Sequence, residues 1–174
     1  MKTDLKMWHL NLMAWVTFGY AAIFWYFTDQ MGRGEMFDYM ILGYDQSIYR
    51  NNLYLLGEAG LEIYKFQALP LDLIYPCMYG ITALIAWEML VKPTNAKLYW
   101  IGSLVIVAGI LFDYGENVRL GFLLFEMGKP SLEFIRITSQ YSITKWVLIT
   151  LFLFMLGTMS VKRLIEARSQ KSEG

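Results

Sequence analysis

Three stretches of the chain set ionisable side chains into otherwise apolar sequence. In the first, Asp72, Tyr75, Tyr79 and Thr82 recur at i, i+3, i+7 and i+10, which places them on one face of a helix. In the second, Gly102, Gly109, Asp113 and Glu116 share a face and Asn117 stands beside it. In the third, Lys145 opens an apolar run. Carboxyls crowded together compete to ionise, so one of them becomes a proton donor or acceptor suited to acid–base chemistry. Asp72, Asp113 and Glu116 are therefore the candidate acid–base residues. Asn117 would orient a ligand, and Lys145 would hold an anion or act as counter-charge. Tyr75 and Tyr79 would line a tunnel for an acyl or isoprenoid chain.

Three arrangements fit these residues. The plainest is a structural network in which Lys145 neutralises one carboxylate while Asn117 and the tyrosines satisfy the rest, or charges at helix ends simply snorkel. The second is a site for a small molecule or lipid headgroup. The third is a divalent-cation site using the oxygens of Asp113, Glu116, Asn117 and Asp72. Lys145 argues against it because it would compete for the same carboxylates, so no metal is assigned and the cofactor is left open.

The elements that must position these groups are membrane spans. Leu10 to Thr28 contains no charge over nineteen residues, enough helix to cross most of a hydrocarbon core about 30 Å thick. Lys2 and Lys6 precede this run as in a signal peptide, but its bulky aromatics and missing small-residue cleavage site point to a retained span. Leu73 to Trp87, Leu98 to Phe112 and Trp146 to Val161 follow. The first two are too short to cross unless acids lie within the helices, Asp72 or Glu88 in one and Asp113 with Glu116 in the other. An up-down bundle of four transmembrane helices follows, a single membrane domain with spans near 10–28, 70–91, 98–117 and 143–162. Outer loops would occupy 29–69 and 118–142.

Charge placement gives an orientation. The 174 residues carry fifteen Lys plus Arg and fifteen Asp plus Glu. Eight of those bases lie in residues 1–9, 92–97 and 162–174. The connection 29–69 holds six acids and three bases, and 113–144 holds four and three. The positive-inside rule then puts both termini of a multi-pass membrane protein in the cytoplasm and both long loops outside. Trp8, Trp87 and Trp100 would mark the inner interface, and Trp25 and Trp146 the outer one. With 56% hydrophobic and 17% aromatic residues, disorder is excluded. A net charge of zero disfavours nucleic-acid binding. The single Cys77 and single His9 exclude a disulfide framework and a His/Cys metal site. Membrane lipid is the expected partner, and a protein partner or homo-oligomer stays open.

The outer connections carry their own signals. Residues 45–56 place Ile48, Tyr49, Asn52, Leu53 and Leu56 on one face, with Asp45 as N-cap. Gly57 ends that helix, and a second begins over 58–67 with Leu61 and Tyr64 on one side. The two would lie on the membrane surface or cap the bundle, with Pro70 in the first turn of the second span. Gly32 and Gly34 flank a bend, and Gly128, Lys129 and Pro130 mark a turn. Ser131 caps a helix that breaks near Tyr141 or runs into the fourth span. Gly102, Gly109 and Gly157 would permit close helix approach. Glu88 would snorkel beside Lys92, and His9 would sit at the interface.

The segments LDLIYPCMYG (71–80), LFDYGENVRL (111–120) and SITKW (142–146) resemble elements of small bacterial four-span integral membrane proteins. Those carry a DLxxPxxYG-like second span, a DxxEN element ending the third and a TxKW-like start to the fourth. The resemblance covers most of residues 44–146. It implies that Asp72, Pro76, Tyr79, Asp113, Glu116, Asn117 and Lys145 belong together, and implies no particular activity. The resulting expectation is a lipid-like or small polar ligand site at the outer leaflet with acid–base chemistry. The rival is a non-catalytic structural or assembly subunit of a membrane complex. No acid lies at mid-membrane to relay an ion across.

Overall fold

The computed structural model describes residues 7–91, 95–125 and 130–172, with side chains described to 169. The sequence signals at Lys2, Lys6, Lys92, Gly128 and Lys129 lie outside the described residues. The fold is all-α, and four helices are long and apolar enough to cross a membrane. They are α1 (Met7–Asp29), α4 (Tyr75–Val91, preceded by an interrupted series of helical segments from Gln46), α5 (Ala96–Phe125) and α6 (Leu132–Ser172).

After α1 the chain turns at Gly32, whose φ of +86° suits glycine. A single 3-10 turn, Phe37–Tyr39, then carries Asp38 inward. Helix α2 (Gln46–Ile63) starts where Asp45 accepts the backbone N–H groups of Ser47 and Ile48. At Gly57, with φ +61° and ψ −173°, the helix breaks as the sequence signals, and only glycine is at ease there. Tyr49, Asn52 and Leu56 form its buried face, whereas Ile48 is exposed. A π-turn (Tyr64–Ala68) leads into the short α3 (Leu69–Asp72), with Pro70 in its first turn.

The connection between α5 and α6 is shorter than the expected 118–142 loop, while the helix expected from Leu132 runs straight into the fourth span. Residues 118–142 are mostly helical ends rather than a loop, because α5 runs to Phe125 and α6 starts at Leu132 and passes Tyr141 without a break. These ends pack on each other, with Gly115 lying against the Tyr141 ring. Ser131 accepts the N–H of Phe134 as the cap. Both ends support α2. The Tyr49 hydroxyl donates to the Leu123 carbonyl, and Leu56, Tyr64, Leu120, Leu124 and Ile135 share one core. The region around α2 therefore caps the bundle.

A second core closes the other end, where Trp87, Val91, Ile106 and Phe152 pack together. Trp87 is wholly buried, stands over Gly102 and donates its indole N–H to the Tyr99 carbonyl. It is a packing residue and no interfacial marker. Trp146 likewise points inward, whereas Trp8, Trp25 and Trp100 are exposed as belt residues would be. Gly109 meets Leu148 and Ile149 at ordinary contact distance, while a side chain at Gly157 would meet nothing, so Gly157 mediates no helix approach. Between the two cores lies the site.

Candidate functional site

Pro76 organises the second span. In an unbroken helix the Asp72 carbonyl would accept the N–H of residue 76, but proline has none, and its ring crowds that carbonyl. The chain therefore breaks at Leu73 and Ile74 between α3 and α4. The Asn117 amide donates to the Asp72 carbonyl instead, at 3.1 Å. This substitute bond fixes the height of Asp72 against α5. It also explains why proline and asparagine belong to the same constellation.

Around that junction four carboxyl groups meet one lysine. Lys145 Nζ lies 2.7 Å from Asp38 Oδ1, 2.6 Å from Glu116 Oε2 and 3.4 Å from Asp113 Oδ1. Tyr79 donates its hydroxyl to Asp113 Oδ2 at 2.8 Å. The Trp146 indole donates to the Asp38 carbonyl at 2.7 Å, tying the 3-10 turn to α6. The Asp72 carboxyl neighbours that of Asp38. Asp38, Asp72, Asp113, Glu116 and Lys145 are all at most 4% exposed. Snorkelling is thereby excluded. Asp113 lies about 25 Å along α5 and the helix runs roughly 18 Å further, under the outer cap.

One ammonium can balance one of four carboxylates. The remaining three must carry protons or face a second cation, because an unpaired buried charge is far too costly to persist. Asp38 Oδ2, Asp72 Oδ2 and both Glu116 carboxyl oxygens have no hydrogen-bond partner, although Glu116 Oε2 lies 2.6 Å from Lys145 Nζ. Oxygens of Asp38, Asp113 and Glu116 lie within 4.8 Å of one another, close enough to share a metal. However, Lys145 Nζ contacts all three, so the ammonium already stands where a cation would. The donor set therefore does not fit a metal without displacing the lysine.

Below the carboxyls runs a cavity of about 530 Å³. Asp38, Tyr39, Asp72, Asp113, Lys145 and Trp146 line its polar end, and Tyr75 and Tyr79 the wall beneath. Its shaft is bounded by Ala83, Ala86, Ile106, Phe152 and Leu156, with Thr17 and Thr82 on α1 and α4 joined by a 2.8 Å hydrogen bond. Helices α1 and α4, α4 and α5, and α5 and α6 pack as neighbours, whereas α1 and α6 make little direct contact across the cavity. Outside the spans, burial pushes the Tyr39 and Tyr44 phenols above their ordinary range and keeps both neutral.

The structure brings every candidate site residue into one place but divides their roles. Asp72, Asp113, Tyr75, Tyr79 and Lys145 reach the cavity. Glu116 is completely buried behind the lysine, and Asn117 is spent on the backbone, so neither lines the cavity. Lys145 is surrounded by three carboxylates, which makes it a counter-charge and disfavours an anion beside it. Asp38 is the residue that span-based reasoning misses. Its only signal is an acid flanked by Met36, Phe37, Tyr39 and Met40, an apolar setting too polar at its centre for a solvated loop. No protein-family model matches the chain, and neither the curated proteins nor the solved structures contain a match.

Proposed function

We propose that the chain is a multi-pass protein of a bacterial inner membrane that binds a lipid-like or small polar ligand in the outer half of the bilayer. Both termini face the cytoplasm, in line with the basic residues at 97, 162, 163 and 168 beside the inner core. The carrying observation is a cavity of about 530 Å³ among the four apolar helices, with carboxyls at one end and an apolar shaft at the other. That volume falls in the range of small-molecule sites, and its lining matches an amphiphile with a polar head and an apolar tail. Asp72 and Asp113 are the groups placed to exchange a proton with a bound head. Glu116 tunes them through the shared lysine. The meeting of the DLxxPxxYG, DxxEN and TxKW-like elements supports a shared site in the four-span proteins that the sequence resembles.

The test is native mass spectrometry of the whole chain released from mild detergent. A retained lipid-sized mass, lost when Ala86→Phe fills the shaft, is the expected result. An apo mass in both parent and variant would reject the ligand site and favour the non-catalytic assembly subunit.

A further inference from the structure

The charge arithmetic at the cavity head restricts what the ligand can be. Lys145 donates to Asp38 and Asp113 and lies 2.6 Å from Glu116 Oε2, so three carboxylates already crowd its ammonium against a phosphate, sulfate or further carboxylate. The unpartnered atoms are instead acceptors. Asp38 Oδ2 and Asp72 Oδ2 both lack a partner, both residues are 4% exposed, and both line the cavity. An anionic head would meet up to four carboxyls across one already occupied lysine, a like-charge juxtaposition that selects against it. A protonated amine offers donors to the carboxyls of Asp38 and Asp72, which adjoin one another at the cavity head, and adds the positive charge that the cluster lacks.

The walls beneath the carboxyls carry the same preference. Phe24 stacks on Tyr75 with ring centroids 6.0 Å apart, Tyr75 meets Tyr79 edge-on at 5.5 Å, and all three line the cavity together with Trp146. Aromatic faces attract ammonium groups, most strongly where water is excluded. Further down, Ala83, Ala86, Ile106, Phe152 and Leu156 offer only apolar surface to a tail. The thinly packed seam between α1 and α6 gives such a molecule a lateral way in from the bilayer.

We infer that the cavity takes a cationic amphiphile, an amine head seated on Asp38 and Asp72 with a hydrocarbon tail in the α1–α4–α5–α6 shaft. This inference rests on the ligand-site reading above and specifies its charge class. The amine belongs to a membrane lipid or to a free lipophilic amine, which share this chemistry.

The experiment compares three probes with the same chain, dodecylamine, dodecanol and dodecanoate, on the whole protein in lipid nanodiscs. Binding is read from tryptophan fluorescence, with Trp146 at the cavity, and from native mass spectra. Dodecylamine is expected to bind at least about tenfold more tightly than either other probe, the effect of a charge-assisted hydrogen bond. In Asp72→Asn, the amine preference is expected to fall by a similar factor while dodecanol binding stays unchanged. An endogenous amine-bearing mass of lipid size in the native spectra assigns the source to the membrane, and a smaller retained amine mass assigns it to a free amine. Equal or tighter binding of dodecanol or dodecanoate overturns the amine inference and leaves the ligand site standing. Failure of all three probes, together with an apo native mass, overturns both. Should Asp72→Asn fail to fold, the selectivity of the parent protein decides alone.

Discussion

Replacing Lys145 by methionine keeps most of the side-chain volume and removes the one positive charge in the cluster. The ammonium lies 2.6 and 2.7 Å from two carboxylates and 3.4 Å from a third, with all partners buried. Removing one partner of a buried ion pair costs about 3–5 kcal/mol, because the other charge is left unbalanced. Here the oxygens left behind lie within 4.8 Å of one another, so the repulsion adds to the loss. For a chain of this size each kcal/mol moves the melting temperature by roughly 2–4 °C, which gives a drop of about 6–20 °C. The assay is thermal unfolding of the detergent-purified protein followed by size-exclusion fluorescence. The drop should hardly change with salt, since buried pairs are screened little. Adding Asp38→Asn and Glu116→Gln to the lysine variant should recover part of it, because whole networks can be neutralised at far less cost than halves. A melting temperature of the single variant within about 2 °C of the parent would refute the reasoning, since the lysine would then not carry the charge balance.

Three further outcomes are expected. Asn117→Ala orphans the Asp72 carbonyl and should cost about 1–3 kcal/mol. Adding Pro76→Ala should return much of it by restoring the missing helical N–H, and a simple sum of the two losses in a double-mutant cycle would exclude this link. Gly102→Ala drives a methyl into the Trp87 ring and should cost about 1–3 kcal/mol in thermal unfolding, whereas Gly157→Ala, in open space, should be neutral or stabilising. The Ser47 side chain and the Ile48 N–H hold the Asp45 carboxyl below its ordinary range. Its contribution is therefore full above about pH 4 and is lost as pH falls through the lowered folded value. The protection of the Ser47 and Ile48 amides relative to their intrinsic exchange rates should fall in acid, and Asp45→Ala should remove that acid step.

Much of the architecture is legible along the chain because membrane helices have one dominant requirement. A long apolar run must form its own hydrogen bonds, and a run too short to cross must borrow polar residues. That requirement forced Asp72, Asp113 and Glu116 into helices, and helical period put them on common faces. Local punctuation was equally readable. Asp45 caps α2, Gly57 breaks it, and Pro70 opens α3. The helix from Leu132 was legible in its Ser131 cap, but the extension of α5 past Asn117 was not, because polar residues there, including Arg119, look like loop in sequence. Tertiary contact makes them helix. Arg119 donates to Thr138 and lies over the Phe134 ring at 4.1 Å, pairing one helix end with the other.

The sequence by itself determined which residues could not face lipid, since the cost of a charge in hydrocarbon depends on the run around it. Only the tertiary structure decided how those residues divide the work. Asp38 comes from a 3-10 turn 107 residues away from Lys145 in sequence, and no periodicity connects them. The same convergence encloses Glu116, spends Asn117 on the carbonyl that Pro76 leaves bare, and leaves Asp38 and Asp72 each with a free oxygen over an apolar shaft. Net charge over a whole chain averages such differences away. The sign of a pocket is set by which few charges share a low-dielectric space, and that is a property of the packed bundle.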